Sequence, residues 1–505
     1  MIMKKLTYLF ILLALGLTAC VDDDSQGITT PLPELSIAGS DSETMPVYNV
    51  YYGDELTIDP GVTASSENLT YTWGYGTYTE ITAGNFQKGD LTTVSNEPVL
   101  HFAFPAEGSY YVHLNVTDGT VGDLMEYRVN VTNYYNKGIL VVANSADGRG
   151  NLGFIKELTS EDIASGMTWH VDEHCLEAEN PGLEVGTLIG ADRTNAATLP
   201  FGAQNPILIV AQDDRCYYVN STTFELNAES LYDEIFSGFR ATHFLSTDSY
   251  ASYPFVYDNN MGESIHMQKA YWFIYSHTSD IFHHAYDDVI TGYTWQSSIN
   301  SKTLDPVYVD YSIPEIYMNN SMFGRFGTED LLKGTNLLMV ARETSSSNLH
   351  VVAQSKENPL ELRQYTLGQA YNDDWTAINF NVAAGDTCVV NTNAGIPPAG
   401  THMALAQTYQ VAFYPINNGL YAYYLFNPTP RLPVTPLITY PEGEEITCLN
   451  VNVATNELYV GTYTAATGRG NVYIYSVANL TGGNLEPTHE FLQSTDRIVD
   501  IRYKN

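Results

Sequence analysis

The sequence predicts an all-β protein, a β-sandwich followed by a β-propeller. Three observations carry this. The chain of 505 residues holds 38 tyrosines and 38 glycines, yet only 16% of it is charged, which is the composition of many short strands and turns. Apolar and polar residues alternate from Val47 onward, with Gly, Pro or Asp breaking the pattern about every 8–12 residues. The run Gly-Arg-Gly-Asn occurs at Gly148–Asn151 and again at Gly468–Asn471, each time between two alternating stretches. The length exceeds one ordinary domain. A hydrophobic fraction of 44% excludes wholesale disorder. Asp and Glu outnumber Lys and Arg by 58 to 22, a net charge of -36. That excludes a nucleic-acid binder, which needs a cationic surface to displace counterions, and an anionic membrane would repel the chain as well.

Residues 1–19 read as a secretory signal: Lys4 and Lys5, an apolar run from Leu6 to Leu17, then small residues before Cys20. The run is too short for a membrane span, which needs about 20 residues. Leu17-Thr18-Ala19-Cys20 resembles the lipobox of bacterial lipoproteins. The resemblance implies that Cys20 is lipidated and binds outer-membrane lipid, several acyl chains on one cysteine making a stable anchor. Val21-Asp22-Asp23-Asp24-Ser25 reads as a solvated acidic tail. It also resembles the acidic export signal of Bacteroidetes lipoproteins, which implies display on the outer face of the outer membrane. Residues 20–45, with Pro31 and Pro33 among small polar residues, read as a lipidated tether. The other cysteines, Cys175, Cys216, Cys388 and Cys448, are widely spaced without a CxxC pair. Neither a zinc site nor a thiol nucleophile is expected of them.

Residues 46–135 read as the sandwich. Strand-like runs occur at Val47–Ile58, Leu69–Gly76, Val99–Thr117 and Met125–Asn133. Trp73, the run Phe104-Pro105-Ala106-Glu107-Gly108-Ser109-Tyr110-Tyr111-Val112 and the end Val116-Thr117-Asp118-Gly119 resemble a PKD domain of the immunoglobulin-like class. Trp73 corresponds to its buried tryptophan. The family's acidic, glycine-rich turn after that tryptophan is replaced here by Gly74-Tyr75-Gly76-Thr77-Tyr78. Asp118 reads as a strand-end cap bonding its own backbone, with no ligand role. PKD-like modules commonly act as spacers or adhesion modules, and the spacer role is expected here.

Residues 136–505 read as the propeller. Gly138–Leu158 and Asn456–Val477 are matched hairpins built on glycine-rich turns. Between them lie further strand pairs, from Pro206, from Tyr253 with Lys269, from Asn336 and from Tyr409, and a single strand-like run from Pro306. Positions 148 and 468 are 320 residues apart. If they mark the first and last blades, each blade spans about 53 residues and there are about seven, eight being the other count. Arg497–Tyr503 is then a last strand that pairs beside the strand starting near Ile139, burying Ile498, Val499 and Ile501 and removing the exposed edge.

The whole chain resembles the PKD-like lipoproteins of Bacteroidetes: lipobox, PKD-like module, then a long repetitive β-domain. The resemblance implies a place in nutrient-capture systems of the starch-utilisation type, with a TonB-dependent transporter and its binding lipoprotein as partners. It brings no catalytic motif. The residues agree: there is no GxSxG, HExxH, Walker loop or dinucleotide fingerprint. No enzyme, no catalytic residue, no cofactor and no metal are expected. The cluster His277, His283, His284, Asp287 and Asp288 reads as a loop whose adjacent histidines point apart. Asp213-Asp214 and Asp373-Asp374 read as solvated turns. Trp272 lies in an apolar run and reads as core. Trp169, Trp295 and Trp375 stand beside polar or turn residues, so each reads either as a loop-borne platform for a sugar ring or peptide, or as a plug under its loop. The leading functional expectation is non-catalytic capture of a glycan or glycopeptide. A propeller hydrolase or lyase, and a structural or adhesive partner of a transporter complex, are the alternatives.

Overall fold

The computed structural model describes residues 33–164, 166–194, 207–234, 237–245, 255–258, 263–269, 272–274, 290–296, 304–310, 315–320, 324–328, 331–342, 348–371, 378–389, 395–398, 401, 403–425, 433–452, 454–482 and 485–504. Strands dominate them, with little helix, and they divide into two compact units, the described residues up to Thr132 and those from Asn133 onward.

In the first unit the main sheet runs in the order Val47–Tyr51, Gly122–Thr132, Gly108–Thr117, Thr70–Thr82, Asn85–Lys88. Two short pairs accompany it, Leu35–Ile37 with Val62–Ala64 and Glu55–Ile58 with Leu100–Ala103. Side chains alternate across a strand. Val112, Leu114 and Val116 accordingly meet Trp73, Tyr127 and Val129 on one fully buried face. Trp73 stacks on Tyr127 at 6.0 Å and donates its Nε1–H to the Glu97 carbonyl at 2.9 Å. Asp118 Oδ1 accepts from the backbone N–H of Thr120 and Val121, at 2.8 and 2.9 Å. These bonds to the ionised form hold its carboxyl below the usual range.

Two expected boundaries move. Leu35–Ile37, read as tether, is a strand of this unit, and Ile37 is buried in its core. The cause is Asp123, whose Oδ2 accepts from the Ile37 N–H at 2.8 Å and the Ser40 hydroxyl at 2.6 Å. Tyr134 and Tyr135, read as the end of the sandwich, pack into the second unit instead. Tyr135 stacks on Phe224 at 4.2 Å.

The described residues of the second unit form seven antiparallel sheets in chain order. Six contain four consecutive strands each. They begin at Leu188–Thr194, His243–Leu245, Ile290–Gln296, Thr335–Arg342, Ala404–Ala406 and Glu444–Asn452. The remaining sheet joins the hairpin Gly138–Asn144 and Gly150–Lys156 to Arg497–Lys504, a strand from the far end of the chain. First strands of neighbouring sheets pack side by side: Leu188–Thr194 against His243–Leu245, Ala404–Ala406 against Glu444–Asn452, and Arg497–Lys504 against both Glu444–Asn452 and Leu188–Thr194. Successive four-stranded meanders with a last strand returned to the first sheet are a propeller-like arrangement.

The returned strand is antiparallel to Gly138–Asn144, from Gly138 opposite Lys504 to Asn144 opposite Arg497. Ile498 and Ile501 are fully buried. Val499, expected to be buried with them, is 38% exposed. The register slips between Val142 and Ala143, which face Asp500 and Ile498, and Val499 falls in that bulge. Side chains sew the junction. Asn450 donates to the Ile501 carbonyl at 2.6 Å, and Arg502 bonds Asp500 at 2.7 Å and approaches Asp192 at 3.6 Å.

Candidate functional site

Several expected site residues fall outside the described residues: Cys20, Trp375, the cluster at His277–Asp288, and Asp373-Asp374. Trp295, read as loop-borne, lies instead within the strand Ile290–Gln296, opposite Asp305. The β-branched and aromatic residues Ile290, Thr291, Tyr293, Thr294 and Trp295 favour that extended run. Trp272 begins the strand Trp272–Ile274. Trp169 is half-buried beside the last sheet. Its indole lies against the His489 imidazole, centroids 4.3 Å apart and rings tilted by 30°, and packs on the core cluster of Ile155 and Val472. One face is thus taken by the protein itself. Asp214 pairs with Arg215 at 2.9 Å, and this partner holds its carboxyl below the usual range. Cys175, Cys216 and Cys448 are free thiols, each pushed up to about 12 by burial. A thiolate nucleophile does not form there near neutral pH.

The better candidate opens at the end of the last sheet where Glu444–Asn452 begins. A depression of about 500 Å³ is lined by Pro398, Asn417, Asn418, Glu442, Glu444 and Glu445, with Pro415 and Ile416 at its edge. Ile416 and Gly419 flank a two-residue hairpin loop, with Asn417 in the left-handed region at φ 52°. Asn418 is fixed by donating to the Tyr440 carbonyl at 2.7 Å. Glu444 is only 5% exposed. Its Oε1 accepts from Asn471 Nδ2 at 2.8 Å, from the Tyr473 hydroxyl at 2.9 Å and from the Thr462 hydroxyl. Three donors offset the burial of the carboxyl group. Burial first, and then the neighbouring Glu444, push the Tyr473 hydroxyl well above its usual range, so it stays a donor. Among the described residues no hydrogen bond reaches Glu444 Oε2. Beside it Glu445 takes Arg497 through both oxygens, at 3.0 and 3.3 Å, and the guanidinium lies 5.1 Å from the Tyr463 ring.

Carboxylate and amide groups around an open floor, with proline and isoleucine edges, suit the hydroxyls and CH faces of a polyol. Among the described residues no three His, Cys, Asp or Glu side chains are grouped to hold a metal ion, and no helix is long and apolar enough to cross a membrane.

No family model matches the chain, and no curated protein matches it. Solved structures are similar at a low level. A quinoprotein alcohol dehydrogenase-like protein from Bacteroides thetaiotaomicron shares 14% identity at a TM-score of 0.45, covering 93% of this chain and 99% of its own. A periplasmic gluconolactonase from Pseudomonas aeruginosa shares 11% at 0.33, over 86% and 99%. A DUF4784 family protein from Bacteroides caccae shares 6% at 0.30, over 94% and 98%. Likeness at this level carries no activity across to this chain.

The depression is invisible to sequence reasoning. Pro441-Glu442-Gly443-Glu444-Glu445 reads as one more acidic turn, and the donors to Glu444 come 18, 27 and 29 residues later. The available signal is three glutamates within four residues at the mouth of a strand.

Proposed function

We propose that this protein is a lipid-anchored receptor of the bacterial outer membrane that captures a glycan without catalysis. In this reading Cys20 carries the lipid and the chain faces outward. The first unit is a PKD-like sandwich, and the seven sheets of the second are the blades of one closed ring. A TonB-dependent transporter and its binding lipoprotein take over the captured ligand. The observation that supports capture is the depression at Glu444, which offers carboxylate and amide hydrogen-bonding groups to a polyol. The acidic surface also fits a neutral ligand better than an anion at this place.

The test is a glycan array probed with the chain lacking residues 1–20. A neutral oligosaccharide should bind, and Asn417→Ala with Glu442→Gln should lower its affinity about tenfold, a change of about 1.4 kcal/mol. An array with no binder, or release of shortened sugars on incubation, would overturn the reading. Cys20→Ser should abolish fractionation with outer membranes.

A further inference from the structure

The first unit carries a site of its own, on the face of its main sheet turned away from the core. Arg128 lies opposite Tyr111, and Tyr111 opposite Gly76. Two and four residues past Gly76 the same face presents Tyr78 and then Glu80, the partner of Phe86. The Tyr78 and Phe86 rings stack at 4.5 Å, only 3° from parallel. The Arg128 guanidinium lies 4.9 Å from the Phe86 centroid and 5.7 Å from that of Tyr78. Gly76 is required here, since a Cβ would stand 2.6 Å from the Tyr111 ring. These residues open onto a groove of about 320 Å³, also walled by Thr79, Glu80, Glu107 and Ser109.

Arg128 shares with Arg193 a buried Nε that has no hydrogen-bond partner, but Arg128 alone of the two lines the groove. Arg149, Arg215, Arg363, Arg469, Arg497 and Arg502 each pair with a carboxylate. Among the described residues nothing accepts a hydrogen bond from the Arg128 guanidinium, and its Nε is buried without a partner. With 58 acidic residues against 22 basic ones, want of carboxylates does not explain that vacancy. An arginine fork matches a planar carboxylate through two parallel bonds, and stacked aromatic rings beside it offer a flat apolar face.

We infer that the groove at Arg128, Tyr78 and Phe86 binds a carboxylate-bearing sugar, a uronate residue of an acidic glycan. Arg128 takes the carboxylate, the rings take the CH face, and Ser109, Glu80 and Glu107 line the space for hydroxyls. This makes the sandwich a second capture site rather than a spacer, and it stands independently of the depression at Glu444. The test is calorimetric titration of the purified full chain with a galacturonate trisaccharide and with the neutral galactose trisaccharide. The acidic sugar should bind in an Arg128-dependent way, its affinity falling as salt rises from about 0.05 to 0.5 M, whereas any binding of the neutral sugar should not depend on Arg128. Arg128→Leu should weaken binding at least tenfold, Arg128→Lys less, and Tyr78→Ala severalfold with the charge intact. Asn417→Ala should change nothing here, which separates this site from the other. If Arg128→Leu fails to fold, the lysine and Tyr78 variants decide. Unchanged affinity in them, equal Arg128-dependent binding of the neutral sugar, or no uronate binding at all would overturn the inference. So would Arg128-dependent binding of a free peptide C-terminus in place of the uronate.

Discussion

The two Gly-Arg-Gly-Asn hairpins share their backbone role and part in what their side chains do. In each the turn glycine is left-handed, Gly148 at φ 85° and Gly468 at φ 68°. In each the asparagine oxygen accepts the backbone N–H of a left-handed residue further on. Asn151 takes His174 at 2.9 Å, and Asn471 takes Gln493 at 2.7 Å. The arginines then diverge. Arg149 bonds Asp147 two residues away, and the two side chains are 76% and 60% exposed. Arg469 reaches Glu173 at 2.6 Å and Asp496 at 3.4 Å, so it ties the segment after the first hairpin to the residues just before the returned strand. Asn471 also feeds the Glu444 network, whereas Asn151 has only a 3.4 Å approach to Asp496. A repeat therefore preserves what the backbone needs. Position in the second unit decides which copy bears tertiary contacts.

Three experiments can break or sharpen that comparison. The largest effect belongs to the strand that completes the first hairpin's sheet. Deleting residues 497–505 removes its pairing and two buried isoleucines, each worth about 1.5–3 kcal/mol of burial, and uncovers an edge. Calorimetry should show the second unit losing its cooperative transition as a whole. A truncated chain that melts like full length would refute closure. Next come the arginines. Arg469→Ala should cost about 1 kcal/mol, because its partners are half-buried and lie across the junction, while Arg149→Ala should fall within about 0.5 kcal/mol of zero. Equal costs in urea titrations would mean that the junction contact adds nothing.

The smallest effect concerns the histidines that follow each hairpin. His170 is raised by its bond to the Thr168 carbonyl and then by Asp172. Its contribution is present below the ordinary histidine value and lost as pH climbs through the folded one. His489 is lowered by burial against Trp169. It therefore opposes folding as pH drops through the ordinary value toward the folded one. Between pH 8 and 5, His170→Gln should lose melting temperature relative to the parent and His489→Gln should gain it. Shifts of the same sign would show that the two neighbourhoods are electrostatically alike.

Much of this fold can be read from local pattern. Strand alternation, the matched hairpins and the return of Ile498–Tyr503 to Ile139 all depend on short runs of sequence. What escapes depends on partners far apart. Nothing in Leu35-Ser36-Ile37 announces that Asp123 will fix it. Val499 looks equivalent to Ile498 until a register slip turns it outward. The tryptophans are large flat side chains beside polar residues, yet Trp169 is packed against His489. Glu444, Arg128, Tyr78 and Phe86 belong to no motif, and each acquires meaning only from residues brought beside it by other strands.

The returned strand also imposes a birth order on the second unit. The hairpin Gly138–Lys156 is made early, but its partner Arg497–Lys504 is added only when the ribosome reaches the far end. At ordinary synthesis rates that interval is about 20–70 s. Throughout it Leu140, Val141 and Val142, all fully buried in the finished molecule, lack the strand that covers them. Nothing comparable holds back the first unit, whose strands all lie within its first 132 residues. The first unit, about a quarter of the chain, has all its strands in hand early, and the second must remain unfinished until its last strand arrives.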